Sequence, residues 1–456
     1  MNLQPLDSDE IDRTALLGVH LGTEPTLESS IAAKDRTGII VCADQLACTD
    51  SLGQAALMTA VLTGVRAFGT VYVLIESPVA RIDEGVFRGR GLGAALAGQG
   101  ATLVSDMSDA PASWPIVLVG PTTPTPATTR RHVILRSTWE GWIARVAASA
   151  SPVETSGPPC ILAAIGSAAL AVSEAFGAVL DPPGSDAGYR HMFLNFWKPG
   201  SATDHGPHFK HAPQWWWLVG LGHLGQAYGW VISLIPYSDP SAVEVMLQDT
   251  DATVPANHST GIFTPCGSRG VKKTRLMSDA LEAGGFSTLM FERRLDETQR
   301  ARSSDAYVAL LGVDNLAARR LISGVGWTFA VDVGLGSGAT NYDSLLLRRF
   351  PGDLPSHEIA AWSNTGTAQV AIPAAPAFQD MESRFETCGI VELAGKAVGA
   401  SFVGVVAAVF AVAEATRELH GGRGLDVLSV NLGSYQIQLA ESERAADVFS
   451  VPLKTG

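Results

Sequence analysis

The chain has 456 residues and a mass of 47.8 kDa, enough for two or three domains, each with its own core. Apolar residues make up 46% and charged residues only 17%, with mean hydropathy +0.18, which excludes a disordered chain. Thirty-two basic against 45 acidic side chains give a net charge of −13, which argues against bulk electrostatic binding to nucleic acid or to an anionic membrane.

Five cysteines (Cys42, Cys48, Cys160, Cys266, Cys388) form no CxxC pair, so neither a disulfide framework nor a structural zinc site is expected. The opening MNLQPLDSDEIDR is acidic and polar and has no secretory-signal pattern. Two apolar runs, Ile161 to Leu180 and Ile390 to Val412, contain Glu174, Glu392 and Lys396 and many small residues. Both are expected to be buried helices and not membrane spans. The expected protein is soluble, reduced and cytoplasmic.

In chain order, GIIVCA (Gly38–Ala43), TVYVLIE (Thr70–Glu76), ATLV (Ala101–Val104), PIVLVG (Pro115–Gly120) and HVILR (His132–Arg136) read as buried parallel strands. SLGQAALMTAVLTGVRA between the first two reads as a helix, and the alternation predicts a doubly wound α/β sheet. Pro/Gly/Ser-rich turns then interrupt the pattern at SPVETSGPPC and DPPGSD, followed by the polar connector KPGSATDHGPHFKHAPQ. The α/β rhythm restarts at WWWLVG (Trp215–Gly220). AALAVSEAF (Ala168–Phe176) and AVFAVAEAT (Ala408–Thr416) echo one another, with Glu174 and Glu414 in register, which points to two related halves.

The strongest local pattern is WWWLVGLGHLGQAYG. A buried strand runs into Gly220-x-Gly222-x-x-Gly225 and then a helix, so backbone N–H groups can face a phosphate. A purely structural glycine turn is the alternative. The next strand ends in Asp249 and Asp251, where an acid commonly accepts from a ribose; NAD and ATP both remain open at this point. Asn257 and Lys273 follow. The chain has seven lysines, and two of them adjoin here, beside Arg269 and Arg275. That cluster suits a triphosphate better than a nicotinamide, with a solvated basic face as the bland alternative. AYVALLGVDNLAARRL places Asp314 after an apolar strand, positioned either to hold Mg²⁺ on a triphosphate or to cap a helix.

Taken together, GLGHLG, DTDATVPAN, GVKK and DNLAAR resemble the ATP-binding motifs of the ubiquitin-activating superfamily, which includes the bacterial ThiF and MoeB adenylyltransferases. The resemblance covers roughly residues 215–435, with TFAVDVGLG (Thr328–Gly336) and the Cys388-containing ETCGIVELAGKAVGASFVGVVAAVFAVAEATREL inside it, and LDVLSVNLGSYQIQLAE after Gly424 reads as a closing hairpin. It implies two Rossmann-like α/β adenylation folds in one chain. Residues 1–204 would be an inactive adenylation-like half and 205–375 the active ATP-binding half; 376–456 would hold a cysteine-bearing crossover, a helix and a hairpin. It further implies that Gly220, Gly222 and Gly225 line ATP and that Asp249 holds the ribose. Asp251, Asn257 and Lys273 would flank the phosphates, Asp314 would bind Mg²⁺, and Cys388 would receive the acyl group. The family's N-L-x-R is here Asn257-His-Ser-Thr260, so its phosphate Arg is missing. Arg269, Lys272 or an arginine of the first half, with Arg13 as the candidate, would replace it.

The implied function is activation of a ubiquitin-like protein with a C-terminal glycine by ATP and Mg²⁺. Thioester transfer through Cys388 to a conjugating enzyme would follow, as in bacterial ubiquitination-like defence operons. A sulfur-carrier adenylyltransferase without thioester and an inactive scaffold for a ubiquitin-like partner are the alternatives. Neither nucleic acid nor membrane is an expected partner, and a homodimer is left open.

Overall fold

Strand β1 (Gly38–Ala43) is buried at every position, and its two faces serve two different cores. Ile39 and Val41 face a large interior, while Ile40 and Cys42 pack with Met107 and Trp114 on the other side. An unbroken β-branched run is what such a doubly covered strand requires. The structure, a computed structural model, describes residues 4–128, 132–182, 184–302, 307–336, 338–363, 372–396, 398–442 and 448–454.

The first half continues with β2 (Thr70–Ile75), β3 (Thr102–Leu103), β4 (Ile116–Val119), β5 (Ile134–Glu140), β6 (Ile143–Ala147) and β7 (Met192–Asn195). Their order is β3-β2-β1-β4-β5-β6-β7; β1 to β5 pair in parallel, and β6 and β7 close the sheet antiparallel. Its helices are α1 (Leu16–Leu21), α2 (Leu27–Arg36), α3 (Gln45–Thr49), α4 (Ser51–Ala67), α5 (Leu92–Gly98) and α6 (Ile161–Leu180).

A short strand β8 (His211–Pro213) precedes the second half. Its sheet comprises β9 (Trp215–Val219), β10 (Glu244–Gln248), β11 (Ser287–Phe291), β12 (Val308–Leu311), β13 (Phe329–Leu335), β14 (Ser344–Phe350), β15 (Leu425–Asn431) and β16 (Gln436–Glu441). The order β11-β10-β9-β12-β13-β14-β15-β16 repeats that of the first sheet, again parallel and then antiparallel, with β16 added. A last strand, β17 (Ser450–Pro452), pairs with β8. The helices are α7 (His223–Leu234), α8 (Lys273–Ala283), α9 (Leu316–Arg320), α10 (Ile322–Val325), α11 (Pro376–Arg384), α12 (Thr387–Gly395) and α13 (Ser401–Leu419).

Helices α4 and α6 of one half meet α7 and α13 of the other in a single continuous core. α6 and α13 are buried along nearly their whole length, which accounts for their apolar composition on every side. α6 is long and apolar enough to cross a membrane, yet 89% of its most apolar window is inside the protein. The second apolar run is not one helix: α12 ends at Gly395 and α13 begins at Ser401. The halves differ most between their sixth strand and long helix. Residues 148–160 make that connection in the first half, residues 351–400 in the second, and Cys388 lies in the longer one.

Candidate functional site

The parallel strands of an open α/β sheet direct their carboxyl ends toward one edge, and ligands bind where the strand order reverses. In the second half that point lies between β9 and β12, and the glycine turn occupies it. The three glycines have different local demands. Gly220 has φ +81°, a left-handed turn that other residues adopt at a cost. A Cβ on Gly225 would collide with Gly220 O, so this position sets the close approach of α7 to β9. A Cβ on Gly222 would meet nothing within 4 Å; this residue caps α7 without a side chain and faces open space. The first N–H groups of a helix lack intrahelical partners, so this end of α7 can receive an anion.

Asp249 shapes the turn. Its Oδ2 accepts the Leu221 N–H at 2.6 Å and its Oδ1 the Asp251 N–H at 2.7 Å. Asp251 is exposed and pairs with Lys273 Nζ at 3.2 Å, and Lys273 N donates to Asp251 O at 3.0 Å. Lys273 is the first residue of α8. Asn257 Oδ1 accepts the Val254 N–H at 3.0 Å, which stabilises the turn Pro255–Ser259. Asp314 is exposed just beyond β12, and the helix cap there is Asn315, whose side chain accepts the Ala317 N–H. Arg319 turns back to Val313 O and pairs with buried Asp332 at 3.3 Å.

The other cations are placed differently from one another. Arg269 reaches Asp7 and Glu10 of the N-terminal segment, and Lys272 Nζ donates to Thr250 O. Arg275 lies 3.6 Å from Glu292. Arg13 N donates to Ser259 Oγ at 3.0 Å, next to Thr260, and its Nη1 is buried without a hydrogen-bond partner among the described residues. Burial pushes its guanidinium below the ordinary value, against the pull of Asp9, Asp12 and Glu392.

Cys388 is exposed in the first turn of α12. The same N-terminal segment that engages Arg269 also grips this helix: Ser8 Oγ donates to Glu392 Oε1 at 2.7 Å and Asp9 pairs with Lys396 at 3.3 Å. Cys266 is also exposed; Cys42 and Cys160 are buried, which pushes both thiols up to about 12.

The corresponding end of the first half is built from acids. Asp44 caps α3 through the Ala47 N–H and accepts from Thr122 Oγ1 at 2.6 Å. Asp50 caps α4 through the Leu52 and Gly53 N–H groups, and Glu76 accepts the Gln45 N–H at 2.8 Å. Donors that the glycine turn leaves open are here taken by carboxylates.

Two residues escaped the sequence reading. Gln226, fully buried in α7, donates to Leu221 O at 3.3 Å and accepts the Phe263 N–H at 2.9 Å, joining the glycine turn to the loop after Asn257. Arg66 of α4 donates to Gly261 O and Ile262 O from the other half. A polar residue inside an apolar helix was the available signal for each.

The BilD N-terminal domain family matches residues 38–196 and the BilD C-terminal domain family residues 212–422. The chain is 30% identical over 444 residues to the bacterial E1-like protein BilD of Collimonas sp. (strain OK412), a match covering 96% of this chain and 94% of that protein. Similarity to solved structures includes E. coli MccB with MccA-N7isoASN, at 12% identity and TM-score 0.33, over 52% of this chain and 66% of that one. It also includes E. coli MccB with ATP, at 13% identity and TM-score 0.32, over 51% and 65%. The chain thus spans just under two thirds of the length of those MccB chains. By both domain matches and the near full-length relative, the chain belongs to the bacterial E1-like BilD family.

Proposed function

We propose that the second half binds ATP across the Gly220–Gly225 turn and adenylates the C-terminal glycine of a ubiquitin-like protein. The observation that carries this reading is the open backbone at Gly222, where α7 begins with no capping side chain. The E1-like relative supports it. Asp249 is at hand for the ribose, with Asp251, Asn257 and Lys273 along the phosphates. Asp314, an exposed carboxylate at a strand end, suits Mg²⁺, which when bound to ATP offsets charge on the triphosphate. Arg13 Nη1 is the cation offered in place of the family's phosphate arginine. The first half, whose corresponding donors are taken by Asp44, Asp50 and Glu76, is the inactive partner.

In the first step a carboxylate oxygen of the carrier's glycine attacks the α-phosphorus. An acyl–phosphate bond forms, and the bond to the β-phosphate oxygen breaks to release pyrophosphate. The protein contributes orientation and charge stabilisation. In the second step the Cys388 thiolate attacks the acyl carbon and AMP leaves with the C–O electron pair. The thiol's proton goes to solvent, to which Cys388 is open. A conjugating enzyme would then take the acyl group.

The test uses the intact protein, ATP, Mg²⁺ and a ubiquitin-like protein ending in glycine. Labelled pyrophosphate should exchange into ATP, and Asp314→Ala should abolish the exchange. Cys388→Ala should keep exchange and lose a reductant-sensitive adduct on a non-reducing gel. An adduct that survives in Cys388→Ala overturns the thioester assignment and moves the test to Cys266. Carrier binding without exchange would replace adenylation with a scaffold role, the reading that Thr260 in place of arginine favours.

A further inference from the structure

Arg66 is the penultimate residue of α4, in the half that carries no glycine turn, and is only 2% exposed. Its Nε donates to Gly261 O at 2.8 Å, its Nη2 to Ile262 O, and its Nη1 to Leu62 O at 2.8 Å. All three acceptors are neutral carbonyls, and no carboxylate pairs with the guanidinium among the described residues. Burying a charge without a counter-charge is costly, and burial pushes this guanidinium down to about 9. An apolar residue at this position of a buried helix would avoid that cost, so the contact it makes is the feature to explain.

That contact falls on the loop that follows Asn257. Gly261 N donates to Asn257 O at 2.7 Å, and Gln226 ties Phe263 and Thr264 to the glycine turn. The loop is therefore held from one side by its own half and from the other by Arg66. It also contains Thr260, where the family's phosphate arginine is missing.

We propose that Arg66 is a positioning residue for the nucleotide's phosphates, supplied by the inactive half, which fixes residues 257–264 so that Asn257 and its neighbours meet the triphosphate. This inference rests on the ATP-binding reading above. It makes the two halves obligate partners in one site. The planar fork of arginine suits two adjacent carbonyls, whereas a lysine ammonium is a point charge that does not reproduce it.

The experiment is isothermal titration of the intact chain with ATP in excess Mg²⁺ and, separately, with adenosine. Arg66→Met should weaken ATP about tenfold or more, which is about 1.4 kcal/mol, and leave adenosine within about twofold. Arg66→Lys should fall between wild type and Arg66→Met for ATP. Thr59→Val removes another buried bond between the halves, from Trp230 Nε1 at 3.0 Å, and serves as the control. It should lower the melting temperature without changing either affinity. If Arg66→Met does not fold, Arg66→Lys decides: weakened ATP with unchanged adenosine supports the proposal, and wild-type affinity for both overturns it. Equal ATP affinity in folded Arg66→Met overturns it, as does a parallel loss of ATP and adenosine. No ATP binding by wild type would overturn the adenylation reading and this inference with it; wild-type binding that Arg66 variants leave untouched overturns this inference alone.

Discussion

Glu174 and Glu414 hold equivalent places in the two halves. Each lies thirteen residues beyond the first residue of its long helix, α6 or α13. Each carboxylate accepts a backbone N–H from the chain that follows: Gly188 at 3.2 Å for Glu174 and Leu425 at 2.7 Å for Glu414. Each also pairs with arginine, Glu174 with Arg190 at 2.7 Å and Glu414 with Arg417 and Arg349. The arginines then reach across the molecule. Arg190 donates to Leu432 O and Gly433 O of the second half, and Arg417 to Phe196 O of the first.

The two glutamates differ in what they leave behind when removed. Arg349 and Arg417 are almost wholly buried, whereas the Arg190 side chain keeps 16% exposure. Arg349 keeps Glu418 at 2.8 Å, but Glu414→Gln removes the carboxylate that Arg417 faces in the interior and should therefore cost about 3–5 kcal/mol, the penalty for breaking a buried ion pair. Glu174→Gln should cost clearly less. Urea unfolding of both variants checks the order, and equal losses would contradict it.

The glycine turn separates folding from binding. Gly222→Ala places its Cβ in open space and should leave the melting temperature near that of wild type while ATP binding falls. Gly225→Ala drives its Cβ into Gly220 O and should lower the melting temperature as well. Thermal melts and ATP titrations of the two variants check this, and loss of stability in Gly222→Ala would contradict it.

His223 predicts a pH dependence. It begins α7, and its ring lies at the start of α13, where a Cβ on Gly404 would collide with Nε2 and one on Gly399 would come within 3.4 Å of Nδ1. Among the described residues Nε2 is buried without a hydrogen-bond partner, and burial pushes the imidazole down to about 4, against the opposing pull of the Ala400 and Ser401 backbone. The unfolded chain binds that proton near pH 6.5, before the folded one does. Stability from this group is therefore present above about pH 6.5 and is lost as pH falls toward 4, by about 3 kcal/mol in all. Buried Asp332, raised to about 6, acts with the opposite sign, but it is common to wild type and variant. Urea midpoints from pH 7 to pH 4 should fall more steeply for wild type than for His223→Gln, and parallel curves would contradict the assignment.

Much of this architecture could be read from the chain because local pattern and tertiary role coincide. GIIVCA, flanked by turns and apolar throughout, matches β1 residue for residue, and the in-register Glu174 and Glu414 mark the two long helices. The predicted strand Ala101–Val104 shrinks to Thr102–Leu103 at the sheet edge, where both residues are exposed. The antiparallel β6 and β7 left no such trace; β6 mixes buried and half-buried positions beside a loop-rich stretch. The run Ile390 to Val412 reads as one apolar stretch, but Lys396 caps α12 and the chain restarts at Ser401. The basic loop read as a single cationic cluster, yet Arg269 is drawn to Asp7 and Glu10 some 260 residues earlier in the chain. Arg66 depends on a partner almost two hundred residues away, which no local pattern encodes.

The central claim is an asymmetric pair of halves, one open to ATP and one closed by its own acids. Calorimetric titration of the intact protein with ATP in excess Mg²⁺ tests it most directly. One ATP per chain is predicted, with no binding of NAD and no binding after Asp314→Ala. Two ATP per chain, tight NAD binding, or no ATP binding at all would contradict it.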